Sequence, residues 1–335
     1  MIRLAVAALV AAFLAAPASA NTSPIFEDRT IAAIDEREIR FYIDRPQTDE
    51  RLPLLLVIDG SGCVGQLRPS TWHNYAPTQY PQYRYARLMV EKPGVDPLDA
   101  DYDVPCSEEF KRHYDIDTRV TDHLRVLQHL SSNADWWNGE LMVWGWSDGG
   151  DIAARLITYR PQTTRAVLGA MGGGLTMEEH FEHFWACPEK RFDSAELRDA
   201  CLADLRSDFT RIHDNPTWKQ TWSGHDNTHK VWATRLRARL SDPLADNRVP
   251  LLIVHGALDR ENTPVESART LIADLTESGN TAFTYWEVPS MEHGWNTLPG
   301  DRRTALVTGM LDWLFKGRIA AEKRVMILEP PTDLD

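Results

Sequence analysis

Three residue types set far apart in the chain could together break an acyl bond: Ser147, Asp259 and His293. Ser147 lies in Gly145-Trp146-Ser147-Asp148-Gly149, a G-x-S-x-G pattern whose glycines leave room for a sharp turn that thrusts the serine outward. A serine hydroxyl is a poor nucleophile near neutral pH. It needs a base that takes its proton during attack and returns it to the leaving group, and histidine suits that task. A carboxylate must then hold the imidazole in its useful tautomer and stabilise its cation. His293, in Met291-Glu292-His293-Gly294-Trp295, and Asp259, at the end of His255-Gly256-Ala257-Leu258-Asp259, are the candidates. Glu261 is the nearest alternate to Asp259, and His255 is expected only to pack or bond locally. Charge developing on a substrate oxygen needs backbone donors. The amides of Asp148, beside the nucleophile, and of Ser61, in Gly60-Ser61-Gly62, could supply them, with Gly62 the alternate.

Each candidate needs an element to deliver it. Leu141 to Trp144 is a short apolar run that stops at Gly145, which reads as a buried strand, and Asp148 to Tyr159 follows with apolar residues at helical spacing. Ser147 thus falls on a strand-to-helix turn. Pro53 to Asp59 is a continuous apolar run ended by Gly60-Ser61-Gly62, expected as the first strand of a parallel sheet buried on both faces. Residues 29–35 and 38–44 predict an opening hairpin, Tyr85 to Val90 and Ala166 to Met171 further strands, and Asp115 to Ser131 an amphipathic helix. Glu91 to Ser107 reads as loop. Val249 to Val254 and Ala282 to Val288 predict the last strands, with helices over 263–279 and 302–316. This alternation is the signature of an α/β sheet. It places Ser147, Asp259 and His293 just beyond three strand ends, where such sheets build their sites.

The blocks GWSDGG, HGALDRENTP and MEHGW resemble those of an α/β-hydrolase, most closely in the prolyl oligopeptidase and dienelactone hydrolase branches. The chain order Ser, Asp, His is the one that fold uses, and the 34 residues from Asp259 to His293 suit one helix and one strand. The resemblance implies an α/β-hydrolase fold, a mostly parallel central sheet flanked by helices, with an inserted helical cap. Two departures stand out. Asp59 precedes Gly60 where many relatives carry histidine, and no propeller is present, which leaves the cap as the substrate filter.

Residues 1–20 have the charged start, apolar run and Ala18-Ser19-Ala20 site of a signal peptide, so the product is expected to be exported, periplasmic or secreted. No later run approaches the ~20 apolar residues of a membrane span. The chain then divides into a first core part at 21–174, a helical cap at 175–247 and a second core part at 248–335. The net charge of −13, which becomes −14 once Arg3 is removed, argues against nucleic acid as a partner. Cys63, Cys106, Cys187 and Cys201 allow three pairings; chain position favours Cys63 with Cys106 and Cys187 with Cys201. A metal site competes, but no C-x-x-C spacing is present. His180 with His183, or His225 with His229, have helical metal-ligand spacing and lack an obvious third ligand. The tryptophans of the cap are expected mainly in its core, while Trp146 and Trp295, beside the nucleophile and the histidine, are the substrate-binding candidates. The expected protein is a serine hydrolase without cofactor, acting on a small-molecule ester or short peptide. It is carboxylesterase-like by default, with a prolyl oligopeptidase-type peptidase or an acyltransferase as the alternatives.

Overall fold

The computed structural model describes residues 24–69, 75–100, 104–223 and 227–328; the expected signal peptide and His225 lie outside them. Eight strands form one sheet: β1 (Ile25–Ala32), β2 (Glu38–Arg45), β3 (Leu52–Ile58), β4 (Ala86–Val90), β5 (Trp137–Trp146), β6 (Arg165–Gly169), β7 (Leu251–Gly256) and β8 (Phe283–Val288). Their order is β1-β2-β4-β3-β5-β6-β7-β8. β1 and β2 pair antiparallel through the charged turn at Asp35-Glu36, β2 joins β4 antiparallel, and every later pairing is parallel. β1 begins at Ile25, four residues before the expected Arg29, because Ile25 and Phe26 pair with Arg45 and Asp44.

Consecutive residues of the central strands feed opposite faces, as a two-residue repeat requires. Leu54, Leu56, Leu141 and Val143 enter one core, while Leu55, Val57, Met142 and Trp144 enter the other. After α1 (Glu108–His113), the first face is covered by α2 (Ile116–Asn133) and α3 (Asp148–Tyr159). Asp115 starts α2 by accepting the Thr118 amide at 2.7 Å, so the residue read as the first of the helix is its cap.

The chain between β6 and β7 is helical: α4 (Met177–His180), a π turn (Phe181–Trp185), α5 (Ala195–Asp214), α6 (His229–Ala233) and α7 (Ser241–Ala245). It carries an apolar cluster of its own, in which Phe181, Phe209, Trp222 and Trp232 meet ring to ring around Cys187, Leu205, Ile212 and Leu236. A disulfide joins Cys187 to Cys201, and another joins Cys63 to Cys106, with Cα atoms 6.0 and 5.6 Å apart. Helix α8 (Val265–Glu277) adds Leu271 and Leu275 to the first face, and α9 (Gly300–Lys316) covers the second with Leu306, Met310, Leu311 and Leu314.

The VMIL stretch lies in helix α10 (Ala321–Leu328). Ile327 is buried against the second core, and Arg302 of α9 donates to the carbonyls of Met326 and Ile327, groups that a helix end leaves unpaired. No helix among the described residues is long and apolar enough to cross a membrane.

Candidate active site

Ser147 stands between β5 and α3 with φ 57° and ψ −126°, outside the regions that side-chain-bearing residues favour. Such a conformation costs on the order of 1–3 kcal/mol and persists only where the surroundings over-determine it. Here the Ser147 amide donates to the Gly169 carbonyl at 2.8 Å, and the Ser147 carbonyl accepts from Gly150 at 2.8 Å. The glycines permit the close approach. A Cβ on Gly145 would lie 2.0 Å from the Gly149 oxygen, and one on Gly149 would lie 2.1 Å from the Ile58 oxygen.

The three residues picked out by type come together. His293 Nε2 lies 2.9 Å from Ser147 Oγ, and His293 Nδ1 lies 2.7 Å from Asp259 Oδ2. Asp259 is almost fully buried in the turn after β7, where its Oδ1 accepts the Thr263 amide at 3.0 Å and its side chain is thereby fixed. His255 Nε2 donates to the Thr263 carbonyl at 2.9 Å, the local bonding expected of it. Trp146 and Trp295 are both half-buried and meet edge to face at 4.4 Å. The Trp146 indole N–H donates to the His293 carbonyl at 2.9 Å, so this ring buttresses the histidine turn. That bond joins residues 147 positions apart and left no mark in the sequence.

Gly60, immediately before Ser61, faces Ser147: a Cβ there would lie 3.5 Å from Ser147 Cβ. The Ser61 loop follows β3 and is held from behind by ionic groups. Lys92 Nζ donates to the Gly62 carbonyl at 2.7 Å and lies 3.5 Å from Asp59, which Arg68 contacts at 3.0 Å. Burial opposes the charge on Asp59, but Lys92 and Arg68 outweigh it and hold the carboxyl below its ordinary range. Burial pushes the Lys92 ammonium down to about 8, against the pull of Asp59. The Cys63–Cys106 disulfide ties the same loop to the segment before α1. The aspartate that stood out in the sequence is therefore part of a charged brace under the Ser61 loop.

A second group of polar residues surrounds Asp148 at the start of α3. Its Oδ2 accepts from Tyr114 OH and its Oδ1 meets Arg235 Nη2, both at 2.5 Å, and all three side chains are buried. Asp151, one turn further along α3, has a buried Oδ1 without a hydrogen-bond partner. Burial pushes its carboxyl up to about 7, Asp148 adds to the rise, and Arg235 and Arg155 oppose it. Arg235 belongs to the helical stretch between β6 and β7, and only tertiary contact brings it here. In that stretch His180 is buried while His183 is exposed, so they do not present a common face. Among the described residues no group of three or more His, Cys, Asp or Glu side chains is arranged to hold a metal ion.

The sheet order, the turn after β5 and the sites after β7 and β8 can be set beside solved structures. A Bacteroides ovatus protein described as a dipeptidyl aminopeptidase IV superposes with a TM-score of 0.58 over 88% of this chain, at 14% identity. A Klebsiella pneumoniae protein described as a dienelactone hydrolase gives 0.56 over 88%, and Est1E from Butyrivibrio proteoclasticus gives 0.54 over 85%, each at 14% identity. The chain has the α/β-hydrolase fold. It spans only 36% of the B. ovatus protein but 99% of the K. pneumoniae protein and 98% of Est1E. No family model and no curated protein matches the sequence.

Proposed function

We propose that the protein is an exported serine hydrolase that cleaves an ester or amide through an acyl-enzyme. The observation that carries this reading is the imidazole of His293, which reaches Ser147 with one ring nitrogen and Asp259 with the other. In this mechanism Nε2 of His293 takes the proton of Ser147 as Oγ attacks the substrate carbonyl carbon. Asp259 keeps Nδ1 protonated and stabilises the imidazolium. The amides of Asp148 and Ser61 receive the oxyanion, and collapse of the tetrahedral intermediate expels the leaving group with the proton carried by His293. Water then attacks the acyl carbon as His293 takes its proton, and the acid is released when the bond to Ser147 Oγ breaks and His293 returns that proton to Oγ.

The donors are backbone groups fixed by the strained turn and the braced loop, so they need no rearrangement as charge develops. Residues 21–174 and 248–335 form the catalytic core in this reading, and 175–247 forms the cap that filters a small ester or short peptide. Trp146 and Trp295 border the acyl or leaving-group side. Export from residues 1–20 agrees with two disulfides, which persist in oxidising compartments. Carboxylester hydrolysis is the default because an alcohol is the easier leaving group. Peptidase activity is the second reading, favoured by the superposition on a dipeptidyl aminopeptidase; an acyltransferase would use the same acyl-enzyme with another acceptor.

Intact mass after treatment with a fluorophosphonate, followed by peptide mapping, tests the mechanism. One adduct on Ser147, together with turnover of p-nitrophenyl esters or aminoacyl amides, is expected. A folded protein with no adduct and no turnover would overturn it.

A further inference from the structure

The helical stretch between β6 and β7 meets the core at the starts of two helices, and it does so with cations. Lys230 Nζ lies 2.7 Å from Asp115, the residue that caps α2, and Arg235 lies 2.5 Å from Asp148, the first residue of α3. Arg155 of α3 returns a bond to the Thr234 carbonyl at 3.1 Å. Of these contacts the one at Asp148 is the most deeply buried, with side-chain exposures of 9% for Arg235 and 3% for Asp148. Both carboxylate oxygens are taken, one by Arg235 and the other by Tyr114 of the core.

The backbone of Asp148 makes this contact more than a docking pair. Its amide belongs to the peptide whose plane is set by ψ of Ser147, and that ψ of −126° lies in a strained region. A side chain clamped at both oxygens fixes the orientation of its own Cα, and with it the neighbouring peptide. We propose that Arg235 is a positioning residue: by clamping Asp148 it aims the Asp148 amide at the oxyanion, so that docking of the helical stretch completes the site. The inference rests on the serine-hydrolase reading, in which that amide is an oxyanion donor. Arg235 touches neither substrate nor Ser147; it acts through Asp148.

Removing one oxyanion donor outright typically lowers kcat by roughly 10²–10³-fold. Loosening the donor, without deleting it, should do less. Arg235→Met is expected to lower kcat on a p-nitrophenyl ester by roughly 10- to 100-fold while KM changes by less than about threefold. Arg235→Lys, which keeps the charge but not the planar fork, should recover part of the loss. Tyr114→Phe, which removes the other bond to Asp148, should lower kcat in the same direction.

A kcat within twofold of wild type in folded Arg235→Met, or a loss confined to KM, overturns the inference and leaves the serine mechanism standing. If Arg235→Met does not fold, unchanged kcat in both Arg235→Lys and Tyr114→Phe overturns it equally. A wild-type protein without turnover or a Ser147 adduct overturns the underlying reading, and this inference with it, before any variant is made.

Discussion

Replacing Asp151 by asparagine should stabilise the protein at pH 8 relative to wild type and confer little or no such advantage at pH 4. Burial pushes the Asp151 carboxyl up to about 7, and its Oδ1 has no partner to reward ionisation. In the unfolded chain the same group titrates near about 4. Because the folded value is the higher, the stability this group contributes is fully present below the unfolded value and is lost as pH rises through about 7.

A gap of roughly three units corresponds to about 4 kcal/mol at most, at ~1.4 kcal/mol per unit. Two effects reduce it. Asp151 lies in the first turn of α3, where the helix dipole favours a negative charge by about 0.3–1 kcal/mol, and the residue is only half-buried as a whole. A net change of about 2 kcal/mol in the stability difference between the two proteins is expected from pH 4 to pH 8. Urea denaturation followed by tryptophan fluorescence, run on both proteins in matched buffers, reads this difference and cancels every group they share. A difference that stays constant across the window would refute the assignment of a raised, buried carboxyl at Asp151.

Asp259→Asn should lower kcat by roughly 10⁴-fold while the melting midpoint stays close to wild type, since it leaves shape intact and reverses the tautomer of His293; steady-state kinetics beside a thermal scan checks it. Trp146→Phe removes the donor to the His293 carbonyl, and a roughly three- to tenfold fall in kcat is expected, consistent with about 1 kcal/mol for one hydrogen bond. Gly149→Ala would put a Cβ 2.1 Å from the Ile58 carbonyl in the middle of the sheet, so a stability loss of at least about 1–3 kcal/mol is expected in denaturant titrations. Paired replacement of Cys187 and Cys201 by serine releases a cross-link between residues 14 positions apart and should cost about 3 kcal/mol, with faster proteolysis around α5 as the readout.

Much of the fold follows from local pattern. The apolar runs ending in glycine mark β3, β5 and β7, since a strand buried on both faces has no room for polar alternation, and the helical repeats of α2, α3, α8 and α9 are equally plain. The resemblance of three short blocks anticipated an α/β-hydrolase fold because turns at strand ends are specified by nearby residues. Serine, histidine and aspartate candidates could be named for the same reason: each lies in a local motif with its own glycine. Helix α10 at 321–328 is less plain, since a run of four apolar residues has no helical repeat to show, and Arg302 of α9 supplies donors to its last carbonyls.

The partners of those motifs were beyond local reading. Arg235 on Asp148, Trp146 on the His293 carbonyl and Lys92 on Gly62 join residues tens of positions apart or more, and single arginines, tryptophans and lysines carry no periodicity that would announce a contact. The elevated carboxyl of Asp151 is likewise a property of its burial beside Asp148, which composition cannot express. The sequence by itself determined which elements form and which residue types stand at their ends, because those are consequences of backbone geometry within a few residues. Only the tertiary structure decided what holds each end in place, since burial and charge pairing arise when distant segments exclude water together.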